Sequence, residues 1–160
     1  MGIDKDLGIA FAKSQIATGF PLPSSGNIFL SVKDSDKAEA LKLARQFLGL
    51  GFHLYTTPGT SDYFMEQGID SSCLFYVSEG THPNVIDMIK NDDIAMVINT
   101  PAGMLPMQDE NKIRAEAIAH GICTITNLCG AWAALNGIKA LKQHAIEVTP
   151  IQERMRLVEL

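Results

Sequence analysis

Cysteine is scarce in this chain and shows no pairing pattern. Cys73, Cys123 and Cys129 are the three in 160 residues, and no Cys-x-x-Cys spacing exists. An odd count without such spacing argues against a disulfide framework and fits a reducing, cytoplasmic compartment. Two of the three sit in apolar runs, where a buried free thiol is expected. Long hydrophobic runs are also missing. No stretch of about 18 apolar residues occurs, so no membrane-spanning helix and no membrane partner are expected. The opening Met-Gly-Ile-Asp-Lys-Asp is too acidic and too weakly apolar for a signal peptide. Positive charge is in deficit: 13 Lys and Arg against 18 Asp and Glu leave a net charge of −5. Such a balance gives no support for a nucleic-acid partner, though it leaves room for a local basic pocket.

The usual catalytic signatures are absent as well. There is no G-x-x-x-x-G-K-[ST] loop, no G-x-G-x-x-G after the first strand and no G-x-S-x-G elbow. His53, His82, His120 and His144 lie far apart and lack metal-ligand spacing. Asp34, Asp36, Asp87, Asp92, Asp93 and Asp109 form no acid–base pair that the sequence can identify.

What is present is the composition of one ordinary globular domain, 46% hydrophobic and 19% charged. Residues 5–19 read as a helix with Leu7, Ala10, Phe11, Ser14 and Ala17 on one face at helical spacing, stopped by Gly19. A Pro- and Ser-rich connector follows. From Gly26 on, short apolar runs alternate with amphipathic stretches. Strands are expected at 28–32, 52–57, 74–77, 94–99 and 122–126. Helices are expected at 36–50, 61–67, 84–90, 109–120 and 131–143. The inner positions are Ala40, Leu43, Ala44 and Phe47 in the first of these core helices, and Ile113, Ala117 and Ile118 in the fourth. The pattern predicts an α/β, three-layer Rossmann-like fold. Its five-stranded, mainly parallel sheet carries helices on both faces. The tail from 146 to 160 is expected to add an edge strand and a terminal helical turn.

Ligands of such sheets sit beyond the carboxyl ends of the strands. There the sequence places Thr57-Pro58-Gly59-Thr60, a turn leading into a helix. Gly59 permits close backbone approach, Thr57 and Thr60 supply hydroxyls, and a helix N-terminus favours an anion. Thr60 or Ser61 serves equally well as a simple helix cap. Lys37, at the start of the first core helix, and Asn99 and Thr100, at the end of strand four, extend the candidate site. Each alone also suits a surface lysine or a turn residue. A lysine, two threonines and an asparagine amide together match a phosphate monoester.

These motifs resemble the methylglyoxal-synthase-like domain superfamily. NIFLSVKDSDKAEALKLARQFLGLGFHLYTTPGTSDYFMEQGI is similar to its first half, and IAMVINTPAG to its fourth strand and loop. Within that group the chain resembles the C-terminal allosteric domain of the carbamoyl-phosphate synthase large chain. MGIDKDLGIAFAKSQIATGFPLPSSGNIFLSV is similar to the connector that leads into that domain, and VSEGTHPNVIDMIKN also matches. The resemblance implies residues 1–25 as helix and connector from the preceding synthetase unit, 26–145 as effector domain, and 146–160 as tail.

It further implies a non-catalytic segment that binds a nucleotide monophosphate, UMP or IMP. Lys37, Thr57, Gly59, Thr60, Asn99 and Thr100 would form the phosphate site, and Thr126 would remain from a second, ornithine-type site. No cofactor or metal is implied for the segment itself. ATP and Mg or Mn would serve the full-length ligase of pyrimidine and arginine biosynthesis. Its partners would be the synthetase domains, a glutaminase small subunit and further copies in a homo-oligomer. Departures from the family pattern are Tyr76 for a lysine, Met104-Leu105 for a basic pair, Glu110 for a serine, and Thr124-Ile125 for a tyrosine–aspartate pair. The alternatives are a lyase of the methylglyoxal synthase type and an oligomer-contact module that has lost its ligand. The carboxylates expected of the lyase are replaced here by Thr81-His82 and Thr100-Pro101.

Overall fold

The computed structural model describes residues 1–75, 77–100 and 107–156. In chain order they form α1 (Leu7–Ala17), β1 (Asn27–Ser31), α2 (Lys37–Gly49), β2 (His53–Thr56), α3 (Pro58–Glu66) and β3 (Ser72–Cys73). There follow α4 (Val85–Lys90), β4 (Met96–Asn99), α5 (Met107–Ala119), β5 (Cys123–Ile125), α6 (Leu128–Gln143) and α7 (Ile151–Arg156). Short 3-10 turns at Asp34–Asp36 and Val77–Glu79 lead into α2 and out of the β3 region.

All strand pairs are parallel, in the order β3-β2-β1-β4-β5. β4 has no polar face, and its four residues are all buried. A strand of this kind needs cover on both sides, and the helices provide it. Alternation divides the core in two. Ile28, Leu30, Leu54, Met96 and Ile98 point toward Ala12 of α1, the apolar stripe of α2 and Ala131, Leu135 and Ile138 of α6. Phe29 and Val97 point the other way, toward Val85 and Ile89 of α4 and Ile113 and Ala117 of α5. In α2, Ala40, Leu43, Ala44 and Phe47 are fully buried, as their helical spacing requires. Gly51, at φ 87°, then turns the chain toward β2, and Phe52 meets Phe47 edge to face at 5.8 Å.

Several expectations are corrected. The third strand is two residues long and lies at 72–73, ahead of the run at 74–77. Leu74 turns into the second core cluster while Phe75 makes an isolated bridge to Asn84. The tail adds no edge strand among the described residues, while the five-stranded parallel sheet is as expected. Helix α3 begins at Pro58, because proline fits the first helical position, so Thr57 to Thr60 is the helix start itself rather than a loop before it. Ile118 faces solvent.

On α1 the buried residues are Gly8, Ile9 and Ala12, and Leu7 is 81% exposed. The reason is a close seam with α6. A methyl built on Gly8 would lie 2.7 Å from the carbonyl oxygen of Asn136, and one on Gly137 would lie 3.2 Å from that of Gly8. The meeting of two glycines, more than apolar periodicity, selects the buried face. Of the cysteines, Cys123 is buried while Cys73 and Cys129 are exposed, and all three are free thiols.

Candidate functional site

The strand order places a topological switch point between β1 and β4. From β1 the chain winds outward through β2 and β3, then crosses back to begin β4 on the opposite side. In sheets of this class neighbouring connections diverge at that point and open a crevice at the carboxyl edge. Ser31 ends β1 in register with Asn99, the last residue of β4. Leu30 is in register with Thr56, so Thr57 follows at the same edge. The alternation that sends Phe29, Tyr55 and Val97 toward α4 and α5 sends Ser31, Thr57 and Asn99 to that side too.

These polar groups form a connected row. Thr57 Oγ1 donates to Thr60 Oγ1 at 3.3 Å and lies 3.4 Å from Ser31 Oγ. Thr100 accepts from the Lys33 N–H at 3.1 Å through Oγ1, and its own N–H donates to the Ser31 carbonyl at 3.0 Å. Thr60, Asn99 and Thr100 are buried. The hydroxyl contacts are longer than the usual 2.7–2.8 Å for O–H···O, which makes them weak bonds that a stronger acceptor can displace. At the start of α3, Thr57 is the N-cap residue but makes no side-chain cap bond. The N–H groups of Thr60 and Ser61 both turn back to the Thr57 carbonyl, at 3.0 and 2.9 Å. Gly59, second in the helix, has no intrahelical acceptor for its N–H.

Lys37 opens α2 on the other side of the sheet and reaches over the edge to this point. Its ammonium would lie 3.7 Å from a methyl on Gly59. The same ammonium is 2.8 Å from Asp34 Oδ1 and 6.0 Å from the Tyr63 ring centroid. Asp34 is 95% exposed, so this pair is weak and readily exchanged.

The structure thus joins Thr57, Thr60 and Thr100 through Ser31, places Asn99 in register beside Ser31, and sets Lys37 against Gly59. Thr126 stands apart, exposed just past β5 and beside Asn127, whose side chain caps α6 by accepting the Gly130 N–H at 2.7 Å. Ser31 and Arg114 belong to the cluster although sequence reasoning did not select them. Ser31 was visible as a small polar residue at a strand end. Arg114 donates from Nη2 toward Asn99 Oδ1 at 3.5 Å and toward Glu110 Oε2 at 3.4 Å. In sequence it forms an i,i+4 pair with Glu110, the ordinary signature of an exposed helix face. Tyr76, Met104 and Leu105, where the family pattern has basic residues, lie outside the described residues, as does Pro101. Among the described residues, no group of three or more His, Cys, Asp or Glu side chains could hold a metal ion, and no helix is long and apolar enough to cross a membrane.

A parallel α/β sheet covered by helices on both faces, with polar residues gathered at its switch point, defines a Rossmann-like domain. More particularly, the chain belongs to the MGS-like domain family, whose model matches residues 39–126. It is 43% identical over 152 residues to the carbamoyl phosphate synthase large chain of Acidobacterium capsulatum, covering 95% of this chain and 14% of that protein. It is 42% identical over 143 residues to the carbamoyl phosphate synthase large chain, C-terminal section, of Aquifex aeolicus, covering 89% of this chain and 26% of that protein. The chain therefore spans between about a seventh and a quarter of the length of these relatives. The crystal structure of methylglyoxal synthase from Elizabethkingia anophelis NUHP1 shares the fold, with a TM-score of 0.58 at 15% identity over 80% of this chain and 97% of that one.

Proposed function

We propose that this chain is the effector-binding domain of a carbamoyl phosphate synthase large chain, and that it takes a nucleoside monophosphate such as UMP or IMP. The observation that carries the reading is the ammonium of Lys37 beside Gly59 at the first turn of α3, next to half-buried Thr57 and buried Thr60, Asn99 and Thr100. A phosphate there would accept from the Gly59 N–H, gain from the α3 dipole and replace Asp34 as the partner of Lys37. The Asn99 amide and the Thr57, Thr60 and Thr100 hydroxyls would hold the remaining phosphate and ribose oxygens. Thr126 is the position left for a second effector.

On this reading residues 1–25 connect to a synthetase unit, 26–145 bind the effector, and 146–160 form a tail. The segment itself performs no chemistry. Carbamoyl phosphate is made elsewhere in the full enzyme, in the cytoplasm, with ATP, Mg or Mn, and ammonia from a glutaminase subunit. The effector shifts the balance between states of that enzyme by binding one of them better.

Calorimetric titration of UMP and IMP into the 160-residue protein tests this. Saturable heat is expected, and Lys37→Ala should weaken it. No heat and no thermal shift at millimolar nucleotide would overturn the reading. So would phosphate-inhibitable production of methylglyoxal from dihydroxyacetone phosphate.

A further inference from the structure

Helix α5 covers the sheet face onto which Ser31, Thr57 and Asn99 project, with Ile113 and Ala117 buried in its core cluster. Arg114 follows Ile113, and its side chain is mostly enclosed, 27% exposed. Its donors are poorly used. Nη2 makes two long contacts, 3.5 Å to Asn99 and 3.4 Å to Glu110, where a charge-assisted bond is normally about 2.7–2.9 Å. Nε is buried and has no hydrogen-bond partner among the described residues. A buried donor without a partner costs free energy, so a state in which it is satisfied is favoured. Nε and Nη2 also share one edge of the guanidinium plane, the edge that engages two oxygens of an oxyanion side by side.

The charge balance of the crevice points the same way. A phosphate monoester carries nearly two negative charges at neutral pH. Lys37 stands at the α3 side of the polar row, while Arg114 reaches its Asn99 end, already beside an oxygen that the ligand would displace. Glu110 is buried on the same helix, one turn earlier, and neutralises Arg114 in the unliganded protein.

Resting on the effector reading above, we propose that Arg114 is a direct phosphate-binding residue of this site and that Glu110 is its competitor. The guanidinium exchanges its two long contacts for a bidentate grip on the phosphate through Nε and Nη2. Glu110 holds the arginine in place while the site is empty and lowers affinity for anions by the same contact. The site thus takes a dianionic phosphate in preference to a monoanion.

The test is calorimetric titration of UMP and of inorganic phosphate into the wild type, Arg114→Gln, Arg114→Lys, Glu110→Gln and Lys37→Ala, with thermal unfolding of each unliganded protein. Arg114→Gln should weaken both ligands by about 10- to 100-fold, the loss expected for a charge-assisted pair. Arg114→Lys, which keeps the charge but not the fork, should recover part of the affinity, and Glu110→Gln should tighten binding. Wild-type affinity should climb as the phosphate loses its second proton near pH 6, and Arg114→Gln should flatten that climb, which a purely structural role would not do. If Arg114→Gln fails to fold, Arg114→Lys decides, and affinity equal to wild type overturns the proposal. Weakening by Lys37→Ala but not by Arg114→Gln would sink Arg114 and leave the effector reading standing. No binding of either ligand by the wild type would sink both.

Discussion

Adding one methyl at Gly59 should raise stability and lower affinity at the same time. Gly59 is the second residue of α3, and its backbone does not lie in the left-handed region. Among the described residues outside its own turn of helix, an alanine Cβ there would meet Lys37 Nζ at 3.7 Å, an ordinary van der Waals contact. The folded state is therefore not strained, while the unfolded chain loses freedom, which is worth about 0.4–1 kcal/mol. For a chain of this size that corresponds to a rise in Tm of about 1–4 °C. The same methyl fills the gap between the ammonium and the helix start. A phosphate oxygen bonded to Lys37 needs to approach within about 2.8 Å of Nζ, and the carbon now occupies that approach. Affinity for UMP should fall at least about tenfold, or about 1.4 kcal/mol. Thermal unfolding without ligand, followed by UMP titration, reads both effects. A lower Tm would show that the crevice is packed more tightly than described. Unchanged affinity in a normally stable variant would refute the placement of the phosphate at this helix start.

Gly8→Ala should behave in the opposite way, because its methyl meets backbone at 2.7 Å from Asn136 O. Overpacking of about 1–3 kcal/mol outweighs the better helix propensity of alanine, and a lowered urea midpoint is expected. Asp87 should contribute a distinct acid transition. Its carboxyl is held below the ordinary carboxylate range first by the Asn84 N–H, at 2.9 Å, and then by His82. Its pKa being lower in the folded than in the unfolded state, the stabilisation is complete above the unfolded value and is lost as pH falls through the lowered one. Denaturant midpoints measured from pH 6 down to pH 2 should therefore drop less steeply in Asp87→Asn. The three thiols should divide by burial: Cys73 and Cys129 should react with a thiol reagent in the native protein. Cys123, pushed up to about 11 by burial, should react after unfolding; fast modification of all three would contradict the packing of β5.

The parts legible in the sequence are those where burial follows a simple period. Helix α2 obeys it at Ala40, Leu43, Ala44 and Phe47, and β4 announces burial on both faces by having no polar position. Legibility fails where a tertiary contact overrides the period. In α1 the seam with α6 buries Gly8 and leaves Leu7 in water, and at Leu74 an apolar run leaves the sheet for a second cluster. The candidate site divides in the same manner. Thr57, Gly59, Thr60 and Asn99 could be found because strand ends are where sheets of this class bind ligands. Arg114 could not, because nothing along a helix distinguishes an arginine at the crevice from one paired with glutamate in solvent.

The seam between Gly8 and Gly137 also ties the amino-terminal helix to the helix that carries Lys37. Main chain meets main chain there, and the Leu22 and Phe11 side chains close the seam at 2.6 and 3.7 Å from the position of a Gly137 methyl. Helix α6 thus packs directly on α1 along this seam. From α6, Trp132 Nε1 donates to Glu39 Oε1 at 2.9 Å, and Glu39 lies in the first turn of α2, two residues beyond Lys37. The amino-terminal helix and the helix that carries Lys37 are therefore connected by direct contacts through α6.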